Sequence, residues 1–245
     1  MLIIDVNLQF GKYNKLGRLV IAIDKKEVTM NIVNTESIVI ESPVKGEWAI
    51  FNPPSHPKLA FDFLAVDENK SPYKIGGLLR HLFSFVSVEH TYTWSAPVNS
   101  PVAGKVIEVE NSAKDRISLC MSFDLCRLLI NKPKVEEGFS AFGGNYVVIE
   151  CEDFYVLLCH MKEGSINVKA GDEVVIGKKL GEVGNSGSSI QPHLHVQVMK
   201  NKNIFPLFAN LVPFRLANGQ RRIGKEITEI KNFLLVNGDH YIFTD

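Results

Sequence analysis

The sequence predicts a mostly β fold, and three observations carry that expectation. Short runs alternate apolar and polar residues, the period of a strand, as in the first ten residues, and Leu59 to Val66 is an apolar run of strand length. Glycines at 164, 171, 177 and 181 punctuate one stretch into lengths that suit short strands joined by tight turns. Helical spacing is limited to Ile75, Leu78, Leu79, Leu82, Phe83 and Val86, and to an apolar stretch from Ile117 to Ile130.

Taken in order, residues 1–45 read as a small N-terminal β-sheet, with strands at Leu2 to Phe10, Leu19 to Ile23, Val28 to Val33 and Ser37 to Ile40. Gly46 to Asn52 lead into prolines 53, 54 and 57, which stiffen the loop around His56. Ser71 and Pro72 provide a cap and a first turn for a helix expected to lay its apolar face on the sheet. Strands return at Gly104 to Val109, Tyr146 to Cys151 and Phe154 to Cys159. A closing strand pair is expected at Leu211 to Leu216 and Phe233 to Phe243.

A length of 245 residues with 45% hydrophobic content is enough for one large or two small domains with real cores. The 27 basic and 27 acidic side chains cancel, and no basic run is long enough to grip a phosphate backbone, so nucleic acid is not an expected partner. The first ten residues lack a basic region followed by a long apolar one, so they read as a strand and no signal peptide is visible. No apolar stretch reaches membrane-spanning length. Cys120, Cys126, Cys151 and Cys159 show no metal-ribbon spacing and are expected as reduced thiols, which suits a reducing compartment.

The chemistry concentrates in Gly184-Asn185-Ser186-Gly187, which empties into His193-Leu194-His195-Val196-Gln197-Val198. Alternation puts His193, His195 and Gln197 on one face of a strand and Leu194, Val196 and Val198 on the other. Two imidazoles on one face suit a catalytic metal site, where one ligates and its neighbour moves protons; by itself the pattern is equally that of a solvated strand face. Upstream, Asp62 sits in the apolar strand Leu59 to Val66, where a lone carboxylate is costly unless paired or metal-bound. His56 precedes it by five intervening residues.

The run Asn145 to Glu150, Tyr155 to Met161, Val168 to Val174, Gly184 to Gly187 and His193-Leu194-His195 resembles the lysostaphin-type zinc metallopeptidases. The resemblance covers roughly residues 46–200. It implies an antiparallel β-sandwich or barrel-like metallopeptidase unit with one or two inserted helices, followed by a C-terminal β extension over 201–245. It also implies a zinc-dependent endopeptidase acting on short peptide cross-links, usually of bacterial peptidoglycan, with one Zn2+ per chain. His195 matches a ligand of that family, and His160 and His193 match its non-ligand catalytic histidines.

The family's upstream pair is usually His-x-x-x-Asp, just before a Pro-x-Gly-Thr-Pro-Val segment. Here the similar segment from Ala96 to Gly104 follows Thr93 and Trp94, with no Asp in place. His56 and Asp62 are therefore taken as the metal ligands, with residues 67–95 inserted behind them and a second insertion near 112–142. The insertions are expected to wall the substrate groove. The missing Asp also fits a non-catalytic binding or regulatory module on the same fold. Peptidoglycan lies outside the cell membrane, so the chain reads as cytoplasmic or as exported by an unusual route. The hairpin Gly171-Asp172-x-Val174-x-x-Gly177 is similar to those of biotinyl and lipoyl carriers, but no lysine stands in the required turn.

Overall fold

The computed structural model describes residues 37–53, 56–130, 135–204 and 210–244. The strands expected before residue 37, together with Pro54, lie outside the described residues. The first strands are β1 (Ile38–Ile40), β2 (Gly46–Phe51) and β3 (Ala60–Ala65), followed by helix α1 (Leu78–Phe83). Next come β4 (Val86–Ser87), β5 (Pro97–Asn99), β6 (Gly104–Glu110) and β7 (Ser118–Leu119), then helix α2 (Met121–Ile130) and the single turn α3 (Ser140–Gly143). The remainder is β8 (Asn145–Glu150), β9 (Tyr155–Met161), β10 (Glu173–Val174), β11 (Lys179–Glu182), β12 (Leu194–Met199), β13 (Phe214–Ile223), β14 (Glu226–Phe233) and β15 (His240–Phe243).

Eleven strands form one sheet in the order β1-β13-β15-β2-β3-β12-β9-β8-β6-β10, with β14 also on β13. The β1–β13 pair is parallel and the other pairs in it are antiparallel. The segment after residue 210 is woven into this sheet, since β15 lies against β2. Its strands differ from the expected closing pair: β13 and β14 form a long hairpin turning at Gly224, which has φ +61°, and β15 is short. Gly224 lies between the two expected strands and permits a turn that L-residues resist.

Alternation decides which face of the sheet is dry. Phe63, Val196, Val198 and Leu158 point into the main core, where the small β5–β11 sheet supplies Val98 and Leu180. The opposite face carries a smaller cluster around Tyr146, Val148, Leu157 and Cys159. All four cysteines are free.

Both expected insertions leave and re-enter the sheet at neighbouring points. The first departs after β3 and returns at buried Thr93, whose Oγ1 accepts from the Ala65 amide at 2.9 Å. The second leaves β6 at Glu110, which is paired with Tyr146 of β8. The two pack on each other through β4–β7, the Phe85–Phe123 ring contact and the Ser122 hydroxyl, which donates to Leu82 O at 2.6 Å.

The helix expected from Ser71 is corrected. α1 begins only after Gly77, because Gly76 adopts φ +77° and the preceding segment is extended, with Lys74 N donating to His90 O at 2.7 Å. Its apolar face is not laid on the sheet: Leu79 is 72% and Phe83 73% exposed, and His81 is the residue turned inward, stacked on Tyr73 at 3.7 Å.

Candidate metal centre

Asp62 of β3 and His195 of β12 are directly opposed across an antiparallel pair, with His195 also opposite Cys159 of β9. Opposed residues share a face and bring their Cβ atoms within about 5.5 Å, so the two side chains must meet. Asp62 Oδ1 lies 3.0 Å from His195 Nδ1. His56, in the loop before β3, completes the group: its Nε2 is 3.2 Å from Asp62 Oδ1 and 2.9 Å from His195 Nδ1.

The far nitrogen of each ring fixes where its proton sits. His195 Nε2 donates to Gln197 Oε1 at 3.0 Å. His56 Nδ1 lies 3.2 Å from Pro57 O, and a carbonyl oxygen can only accept. Asn52 does not compete for that role, because its amide nitrogen already donates to Pro57 O and Ala60 O, each at 2.7 Å. With both rings neutral, His56 Nε2, His195 Nδ1 and Asp62 Oδ1 turn lone pairs on one another, an arrangement that a proton or a cation satisfies. Tetrahedral zinc with bonds of about 2.0–2.1 Å spaces its ligands by about 3.3 Å, near the 2.9–3.2 Å found here. The donor set therefore fits a metal ion.

The electrostatics agree with a site built for charge. Burial pushes the Asp62 carboxyl up, but the neighbouring His193 ring and hydrogen bonds from His195 and His56 outweigh it and hold it well below the usual carboxylate range. For His195, burial favours the neutral ring, and the hydrogen bond and charge of Asp62 overcome this to raise its value.

His193 and His160 stand beside this group with ring centres 4.5 Å apart. His193 Nδ1 donates to Gln191 O at 2.9 Å, and its Nε2 is 3.6 Å from Asp62 Oδ1. His160 Nδ1 donates to Ser186 O at 3.0 Å. Burial lowers both imidazoles, His160 well below its ordinary value, which favours their neutral form. A bulge in β9 puts His160 there: Cys159 and His160 of β9 oppose the single Tyr146 of β8, and His160 takes φ +60°. Such bulges re-aim side chains, and a left-handed non-glycine residue stores strain that the surroundings must hold. Here Gly184 N donates to His160 O at 2.9 Å, and Ser186 Oγ donates to Met161 O at 2.8 Å.

All five residues singled out in the sequence, His56, Asp62, His160, His193 and His195, line one cleft of ≈ 340 Å³. Three supporting residues were not legible. Asn52 holds the His56 loop, Gln197 fixes the His195 tautomer, and Arg116 Nη1 donates to Gly187 O at 2.8 Å with a second bond to Ser189 O. Gln197 carried a signal, since it shares the strand face of His195. Arg116 carried none, because its acceptors are backbone atoms more than seventy positions away.

Residues 130–206 match the model of Peptidase family M23. Over that segment the chain is similar to the M23 peptidases. That segment holds His160, His193 and His195, while His56 and Asp62 lie upstream of it. A Buchnera aphidicola protein named an uncharacterized metalloprotease is 35% identical over 96 residues, which is 39% of this chain and 23% of the relative. Lysostaphin of Staphylococcus staphylolyticus is 33% identical over 99 residues, 40% of this chain and 21% of the relative. The chain thus matches under a quarter of the length of these curated relatives. The solved catalytic domain of the antimicrobial peptidase lysostaphin from Staphylococcus simulans aligns over 69% of this chain and 88% of its own, with 18% identity and a TM-score of 0.37.

Proposed function

We propose that the chain is a zinc-dependent endopeptidase that hydrolyses short peptide cross-links, those of bacterial peptidoglycan foremost. His56, Asp62 and His195 hold the metal, and His160 and His193 move protons. The observation that carries this reading is the convergence of His56, Asp62 and His195, with ligand atoms 2.9–3.2 Å apart, beside the buried imidazoles of His160 and His193. The choice of peptidoglycan rests on the lysostaphin-type resemblance.

Zinc held by His56, Asp62 and His195 would supply an acidified water and a Lewis acid for the scissile carbonyl. The chain's residues do the rest. With their Nδ1 protons committed to Ser186 O and Gln191 O, His160 and His193 present Nε2 lone pairs to the cleft. One ring takes a proton as the water oxygen adds to the carbonyl carbon; once charged, it donates to the developing oxyanion and returns the proton to the amine nitrogen as the C–N bond breaks. The covering loop, tied by Arg116, limits how far His193 can move.

The test is to incubate the zinc-loaded chain with purified peptidoglycan and with short synthetic peptides, reading new amino termini by mass spectrometry. The expected result is new amines that disappear with a chelator and return with zinc. A metal-loaded chain that binds these substrates and releases no amine would contradict the enzymatic reading.

A further inference from the structure

α2 is turned inside out. At about 100° per residue, Phe123, Leu125, Cys126, Leu129 and Ile130 fall within an arc of about 160°, and all five are exposed, Ile130 to 79%. Among the described side chains of the helix the buried one is the charged Asp124. Large apolar arcs facing solvent mark binding surfaces.

The reason for the inversion lies in what Asp124 holds. Its Oδ1 is 3.4 Å from Arg116 Nε and 3.4 Å from Arg127 Nε, and Oδ2 accepts from Cys120 N at 3.1 Å. Arg116 is the residue bonded to Gly187 O and Ser189 O in the loop that leads to His193. One ion pair therefore fixes α2 in register with the candidate catalytic loop. It also places Leu125 in the cleft wall, where Phe139, Phe142, Ile190 and Pro53 continue the apolar lining. The exposed arc and the cleft are continuous through Leu125.

From this continuity we infer that the cleft and the outer arc of α2 bind the substrate chain on apolar side chains beside the scissile bond, so that an apolar peptide is preferred over a glycine-only one. This rests on the proposed peptidase reading and narrows its substrate class. Among the described residues the exposed charges of the two insertions, Lys70, Lys74, Arg80 and Lys114 against Glu68, Glu89, Glu136 and Glu137, give no cationic excess for an anionic lipid surface. Leu125, shared with the cleft, assigns the occupant as the peptide itself.

The test uses the full chain. Binding of fluorescein-labelled penta-alanyl-leucyl and pentaglycyl peptides is measured by anisotropy without metal, and cleavage of both is measured with zinc. The expected result is binding of the apolar peptide at least about tenfold tighter, as burial of one large side chain implies, with the ratio collapsing in Leu125→Asp. Leu129→Asp, further out on the arc, lowers it less, and circular dichroism and zinc content check that both variants fold. Equal binding of the two peptides, or a preference untouched by Leu125→Asp, overturns the inference even if both peptides are cut. Apolar selectivity without cleavage supports the inference and sinks the enzymatic reading instead. Vesicle flotation lost in Leu79→Asp, with no peptide preference, would assign the surface to lipid and overturn the proposal.

Discussion

The strand pair β3–β12 and the helix α2 solve opposite problems. In β3–β12 the apolar residues face a core and the polar ones, Asp62 and His195, are buried against each other on the second face. In α2 the ionised Asp124 goes inward, and Phe123, Leu125, Leu129 and Ile130 go out. The difference teaches where polarity patterns can be trusted. In a sheet, neighbouring strands dictate both faces. A short helix in an insertion is oriented by one strong contact, here Asp124 with Arg116, and its remaining faces follow.

The largest effect separates metal holding from proton handling within the strand region. His195→Ala is expected to abolish both bound zinc and hydrolysis, because one of three donors is lost. His193→Ala and His160→Ala are expected to keep zinc while kcat falls by about two to four orders of magnitude, the scale of general acid–base catalysis. Metal analysis beside single-turnover rates checks this, and loss of zinc in His193→Ala would exchange the roles within His-x-His.

A smaller effect tests the link between the two regions. Arg116→Met removes charged hydrogen bonds to the Gly187 and Ser189 carbonyls and frees Asp124. Thermal denaturation should show a loss of about 1–3 kcal/mol, with a lower kcat and unchanged zinc content. An unaltered kcat would mean that the loop is held without α2.

The glycine of that loop sharpens the same point. A Cβ at Gly187 would stand 2.3 Å from Gly144 N and 2.6 Å from Phe142 O, at φ +67°. Gly187→Ala should cost about 1–3 kcal/mol in the same assay. Gly164→Ala is the comparison, with φ +69° and open space around its Cβ, and is expected to cost less.

The strand half of the site was legible because period-two alternation placed Asp62 and His195 on defined faces, and an apolar strand made an isolated carboxylate conspicuous. That β3 pairs β12 in the register opposing those two residues was not legible, since pairing depends on the whole sheet. The bulge that turns His160 was equally hidden, being set by the mismatch with β8. The apolar spacing of Ile75 to Val86 signalled a helix, but its length and direction were misread. Gly76 and Gly77 shortened it, and spacing alone cannot say whether an apolar face meets the sheet or the solvent.

The central claim is that His56 and Asp62, with five residues between them instead of three, complete a metal site with His195. Elemental analysis of the purified chain beside Asp62→Ala tests it most directly. About one zinc per chain, lost in the variant, is the expected result. A chain that takes up no metal when zinc is supplied, or a variant that keeps it, would contradict the account.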